Sequence, residues 1–108
     1  MSASNEPKLL FTCDFDERTA FDVELKGWFE AAFVRLPNGV EIPLAFRDTA
    51  RLAQDLEVEV ASGRYCIAEP VLIVVPRVTK DYMSAAVRQL FEEGFFHKLI
   101  AIGLNPKA

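Results

Sequence analysis

Cys66, Glu69 and His97 form the one set of residues in this chain whose types could supply a nucleophile, an orienting carboxylate and a base. A thiol activated by an imidazole that a carboxylate holds in place is the arrangement of a cysteine-dependent active site. No glycine-rich oxyanion loop adjoins Cys66, and a single histidine after a helix end is more often a polar surface residue. These residues therefore favour a protein without enzymatic activity.

The connector at 64–70 is the alternative candidate site. It would form the mouth of a small-ligand pocket, or of a cysteine-dependent enzyme, and its candidate residues are Arg64, Tyr65, Cys66, Glu69 and His97. A pocket would bury the ring of Tyr65 with its hydroxyl bonded, whereas a plain linker would leave Tyr65 and Arg64 in water.

The spacing of three acids, Asp14, Asp16 and Glu17, is similar to that of the first ligands in a calcium-binding loop. Such a loop needs glycine at its sixth position and a bidentate acid at its twelfth, where this chain has Thr19 and Leu25. The sequence also has no CxxC motif, no histidine pair and no glycine in its predicted strand-to-helix turns. We therefore expect neither a metal nor a cofactor.

Charge is distributed unevenly over the 108 residues, whose formal net charge is −4. Residues 1–62 hold twelve acids and six bases, whereas residues 63–108 hold four acids and six bases. Sparse bases argue against nucleic acid as a partner, while an acidic surface could bind a basic protein. No basic, apolar signal segment begins the chain and no apolar run approaches about 20 residues, so we expect a cytoplasmic protein without a membrane span.

The segment at 34–46 is the clearest structural signal. Pro37, Asn38 and Gly39 form a three-residue turn between two alternating runs, which predicts a β-hairpin. Its register places the even-numbered residues of both strands on one apolar face. That face is the predicted core side of a sheet.

The same parity predicts a surface on the opposite face. It places Phe29, Phe33 and Arg35 there, and two exposed phenylalanines would begin an apolar patch of the kind that soluble monomers seldom leave bare. We therefore expect a homodimer, or another homo-oligomer, that forms through the sheet. A bulge near residues 31–32, or the N-terminal strand, would instead turn both rings into the core.

The remaining patterns predict strands at 8–15, 21–25, 71–75 and 96–102, with helices from Thr49 and from Lys80. The apolar residues of the first helix, Leu52, Ala53, Leu56 and Val60, would lie on the sheet. The fold class is α+β, a two-layer sandwich of element order β-β-β-β-α-β-α-β. Its mainly antiparallel sheet begins with a meander, and both helices lie on one face. We expect one domain at 7–104 between a disordered tail at 1–6 and a short tail at 105–108.

Overall fold

The strands form one mixed sheet, accompanied by four helices. The computed structural model describes residues 5–103, with the elements β1 (Lys8–Phe11), α1 (Glu17–Lys26), β2 (Trp28–Arg35), β3 (Glu41–Arg47), α2 (Thr49–Ala61), β4 (Leu72–Val74), α3 (Lys80–Glu92) and α4 (Phe95–Ala101). The sheet order is β1-β2-β3-β4, and only the β3–β4 pair is parallel. The α+β class is confirmed. Residues 1–4 of the predicted first tail, the predicted domain end at 104 and the tail at 105–108 lie outside the described residues.

The predicted hairpin is present with the predicted register. Val34 pairs with Ile42, and the backbone N–H of Leu36 donates to the carbonyl of Val40 at 2.9 Å. Gly39 has a φ of 90°, a left-handed conformation that glycine adopts without a steric cost. The even-numbered residues are buried, as their parity predicts: Ala32, Val34, Leu36, Ile42, Leu44 and Phe46.

Helices α1, α3 and α4 cover this even-numbered face, which we call the core face. They contribute Val23, Met83, Val87 and Phe96 to one apolar cluster with the strands. The hydroxyl of Thr79 accepts the backbone N–H of Tyr82 and so caps the start of α3. Two layers, the sheet and these three helices, therefore enclose the core.

The strand predicted at 21–25 is wrong, because these residues lie in α1. The Asp16 carboxylate accepts the Thr19 N–H at 2.8 Å, which caps the helix and lowers the pKa of Asp16. Gly27 ends the helix in a left-handed conformation. Phe21 and Leu25 lie one helical turn apart and are both exposed, so their alternation with Val23 reflects no buried strand face.

The strand predicted at 96–102 is also wrong, since α4 occupies this segment. The core side of α4 holds Phe96, Leu99 and Ile100, which recur at helical spacing. The segment at 71–75 does contain β4. Its continuous apolar run predicts an inner strand, and this prediction is wrong, because β4 is an edge strand and Val74 is 45% exposed. The predicted element order is corrected accordingly.

Helix α2 forms where the sequence predicts a helix, but it does not join the core. None of its residues is buried. Its Asp55 contacts Arg47, whose parity is opposite to that of the buried Phe46, so α2 lies beside the face of the sheet that points away from the core. We call this the outer face. The predicted placement of both long helices on one face is therefore wrong.

A bulge in β2 separates the two phenylalanines that the sequence places together. The register of β2 against β3 shifts between Phe29 and Ala32, so Phe29 pairs with Phe46 and turns into the core. Its ring lies edge-on to Phe11 and Phe15, at centroid distances of 5.5 and 5.3 Å. The expected exposure of Phe29 is wrong, and the bulge alternative describes this residue correctly.

Replacing Phe29 with Ala tests this assignment. We expect the free energy of unfolding to fall by about 3–5 kcal/mol, because a buried ring leaves a cavity among aromatic neighbours. The matched control is Phe21→Ala, at a ring that is 66% exposed, and it should change stability by less than about 1 kcal/mol. Denaturant unfolding measures both changes, and equal losses would contradict the assignment.

Gly27 also holds the start of α2 against the end of α1. Its carbonyl accepts the N–H of Asp48 at 2.9 Å, and Asp48 caps α2 by accepting the N–H of Arg51. A β-carbon at Gly27 would lie 2.6 Å from a carboxylate oxygen of Asp48, and Gly27 has a φ of 78°. A side chain is therefore excluded twice, by conformation and by contact.

Gly27→Ala should accordingly cost more stability than Gly39→Ala. Both residues have a positive φ, and the strain of an alanine there is about 1–2 kcal/mol, but a β-carbon at Gly39 meets open space. We expect the Gly27 variant to lose at least about 1 kcal/mol more, since the Asp48 cap is displaced as well. Thermal unfolding measures the stability of both variants. An equal loss of stability would show that the Asp48 side chain can move away from the new β-carbon without a cost.

Candidate functional site

An apolar row crosses three strands on the outer face. Leu10 of β1 pairs with Phe33 of β2, and Phe33 pairs with Pro43 of β3, so these side chains lie side by side. Leu10 and Phe33 are half-buried and Pro43 is exposed. The predicted outer-face position of Phe33 is therefore correct, unlike that of Phe29.

Charged residues of both signs form the next row on this face. Lys8 pairs with Arg35 and Arg35 with Glu41 across the three strands. The Arg35 guanidinium bonds to Glu41 at 2.7 Å and lies 6.0 Å from the centre of the Phe33 ring. Arg35 is exposed beside Phe33, as the sequence predicts. The outer face thus combines an apolar row with a row that is basic at β1 and acidic at β3.

Arg47, at the end of β3, connects α2 to the sheet. Its Nε donates to Asp55 of α2 at 2.8 Å, and one terminal nitrogen lies 2.8 Å from Glu69 of the connector and 3.5 Å from Glu30 of β2. Only 11% of the Arg47 side chain is exposed. Bonds to carboxylates are stronger when water is largely excluded, so this one guanidinium joins three parts of the chain.

The carboxylates around Arg47 stabilise its charged form further. The hydrogen bond to Glu69 raises the pKa of Arg47, the bond to Asp55 adds to this effect, and burial opposes it. The other terminal nitrogen, Nη1, is buried and has no hydrogen-bond partner among residues 5–103. A buried donor without an acceptor costs about 1–3 kcal/mol, so the three ion pairs stabilise the site against an opposing cost.

A cleft of about 320 Å³ lies beside this guanidinium, and we call it the Arg47 cleft. Its walls are Trp28, Glu30, Arg47, Arg51, Asp55, Val58, Glu59, Ile67 and Glu69. Two arginines face four carboxylates, a formal charge of −2. Arg51 pairs with Asp55 and lies 5.9 Å from the centre of the Trp28 ring. The lining therefore attracts positively charged groups.

The Arg47 cleft is lined by charged side chains of both signs. Its titratable side chains, as described, are carboxylates and arginines, and its lining includes no serine, threonine, cysteine, histidine or lysine. Within residues 5–103, no group of three or more histidine, cysteine or acidic side chains is arranged to hold a metal ion. What the cleft offers is charge, one aromatic ring and a fixed shape.

An apolar groove of about 440 Å³ continues from the cleft along the free edge of β3. Glu30 and Glu69 line both, so the two depressions adjoin each other. Strand β4 pairs only with residues 45–47, which leaves the earlier part of β3 without a strand on this side. The N–H of Ala45 points to β4, and Pro43, of the same parity, offers this edge no donor.

The connector residues predicted to surround a pocket separate in the structure. Arg64, Cys66 and Tyr65 are exposed, Tyr65 to 84%, as in a linker, and none of them lines the Arg47 cleft. Glu69 alone belongs to the cleft. His97 lies on α4 against the ring of Phe91, on the core face of the sheet, whereas Glu69 reaches Arg47 on the outer face.

The sequence predicts a buried Cys13, which shares the parity of Phe11, and a more accessible Cys66 in the connector. The prediction for Cys13 is wrong, because Cys13 follows the end of β1 and is exposed. Cys66 is exposed as well, and both thiols are free. The strand is shorter than its alternation predicts because Cys13 already belongs to the turn that leads to the cap of α1.

Sequence reasoning missed Trp28, Arg47 and Glu30, which form one side of the cleft. Arg47 carries one signal that could have found it, since its odd parity puts a cation on the outer face directly before the cap residue of α2. The apolar spacing of α2 also predicts that Asp55, two turns into the helix, points away from the sheet. This prediction is wrong, because Asp55 contacts Arg47.

Replacing Arg47 with Met tests how α2 is attached. We expect the free energy of unfolding to fall by about 1–3 kcal/mol, because Asp55 and Glu69 lose the cation that they share. Hydrogen exchange of the α2 amides should become faster, while α3 keeps its protection. The control is Arg77→Met, whose partner Glu24 is 3.6 Å away at an exposed position. An unchanged α2 in the Arg47 variant would contradict this role.

Comparison of the chain with protein-family models, with curated proteins and with solved structures finds no match. Within the described part of the chain, no helix has the length and apolar character needed to cross a membrane.

Proposed function

We propose that this chain is a non-enzymatic protein-interaction module that acts as a homodimer, with the outer face of its sheet as the contact between subunits. The observation that carries the proposal is the apolar row of Leu10, Phe33 and Pro43, which lies on the outer face and does not belong to the buried core cluster. Apolar surface of this kind on a sheet face is typical of an interface.

The charges beside the row support a second copy as the partner. In a face-to-face dimer whose two-fold axis runs along the strands, β1 of one subunit lies over β3 of the other. Lys8 at β1 then approaches the partner's acidic position at β3, where Glu41 stands. The two outer positions of the row are therefore complementary between subunits, while Arg35 in the middle would lie over its own copy and is paired with Glu41 of its own subunit.

A non-enzymatic role is supported by the positions of the candidate catalytic residues. Cys66 and His97 do not line the Arg47 cleft, and Glu69 is held by Arg47. The alternative of a ligand pocket at the connector has less support, because Tyr65 and Arg64 extend into solvent.

Phe33→Ser tests the dimer contact. We expect the native mass, measured by light scattering after size exclusion, to fall from dimer to monomer while circular dichroism keeps the folded signal. Each apolar side chain newly buried in the contact stabilises it by up to about 1.5–3 kcal/mol, and the serine removes this gain twice in a two-fold dimer.

Phe21→Ser is the matched control, since it removes an exposed phenylalanine from α1 instead. It should leave the dimer intact. A parent protein that is monomeric throughout a dilution series would contradict the homodimer. A Phe33→Ser variant that unfolds, instead of forming a folded monomer, would contradict it as well.

A further inference from the structure

Helix α2 exposes an apolar stripe that nothing in the core layer covers. Leu52, Ala53, Leu56 and Val60 recur at helical spacing, which places them on one side of the helix. Leu56 is 40% and Val60 is 48% exposed, and no residue of α2 is buried. The residues of α2 that line the Arg47 cleft are Arg51, Asp55, Val58 and Glu59, so none of the stripe residues belongs to the cleft.

The attachment of α2 combines one ion pair with little apolar contact. Asp48 caps its first turn, Asp55 holds it to Arg47, and of the four stripe residues only Leu52 is half-buried. Helices of about 12–15 residues are marginally stable in water unless packing on an apolar face stabilises them, and α2 has 13 residues. A partner that covered the stripe would supply the packing that the fold itself does not.

The charges of α2 select the partner. The helix carries Asp55, Glu57 and Glu59 against a single base, Arg51, which is already bonded to Asp55. At 100° per residue, Glu57 and Glu59 lie on the two flanks of the stripe. Two copies of α2 placed against each other would bring like charges together, whereas a basic helix would place its cations beside both flanks.

We propose that the α2 stripe is a docking site for a basic amphipathic helix of another protein. Its apolar side chains pack on Leu56 and Val60, and its lysines or arginines flank Glu57 and Glu59. This site shares no residue with the proposed homodimer contact of Leu10, Phe33 and Pro43. Loss of the dimer and loss of docking are therefore independent results, distinguished by native mass on one side and peptide binding on the other.

A designed helical peptide with leucine on one side and lysine on the other serves as the probe. Its fluorescence anisotropy should report binding to the whole chain, and the association rate should fall steeply with added salt, because exposed charges are screened over about 10 Å at 0.1 M. A peptide in which glutamate replaces lysine should not bind. Equal binding of both peptides, or no binding of the lysine peptide, would overturn the proposal.

Two pairs of substitutions locate the site. The pair Leu56→Ser and Val60→Ser should weaken binding by about tenfold or more, since it removes two apolar contacts. The pair Phe21→Ser and Leu25→Ser is the matched control on α1, at the same spacing and at least as exposed, and should leave the affinity unchanged. An equal loss in both pairs would show that the peptide binds without preference for α2.

A charge reversal protects the test against a stripe variant that misfolds. Glu57→Lys with Glu59→Lys keeps the apolar stripe, so the folded signal in circular dichroism should persist. The preference should then shift from the lysine peptide to the glutamate peptide by about tenfold. If the variant with both substitutions still prefers the lysine peptide, Glu57 and Glu59 do not determine which peptide the protein binds.

Discussion

The bonds of Arg47 to three carboxylates determine where the middle of the chain lies. Strand β2, helix α2 and the connector before β4 each supply one acid to this guanidinium. Neither α2 nor residues 64–69 contribute a fully buried apolar side chain, and only Leu52 and Ile67 are half-buried, so apolar packing contributes little to the position of this crossover. The crossover instead depends on charge and on the caps at Gly27 and Asp48. Its attachment is strong only where water is excluded, which is why 11% exposure of Arg47 matters.

The hairpin could be predicted because two independent signals agree. Its turn residues and the alternation of both strands specify the same register, and a shift by one residue would expose the whole apolar face. Segment 21–25 lacked this agreement. Its alternation indicated a strand, whereas Asp16 before it and Gly27 after it are the start and stop signals of a helix. The local caps decided the outcome, because only Val23 finds a place in the core.

Two other features could not be read from periodicity. The bulge in β2 resets parity between Phe29 and Phe33, and its position depends on how Phe29 meets the rings of Phe11 and Phe15. The orientation of α2 is the second feature that periodicity does not predict. Its apolar spacing predicts a buried face, yet the short distance from Asp48 to the end of β3 and the pull of Arg47 on Asp55 turn the polar face to the sheet. In both cases a tertiary contact outweighs a local pattern.

The proline at the open edge of β3 has a consequence for aggregation. A bare strand edge invites another chain to extend the sheet, and this edge adjoins an apolar groove, which would favour such growth. Pro43 removes a donor where an added strand would need one, and Glu41 places a charge beside it. The chain can therefore present apolar side chains to a partner at its faces while its backbone resists uncontrolled strand addition.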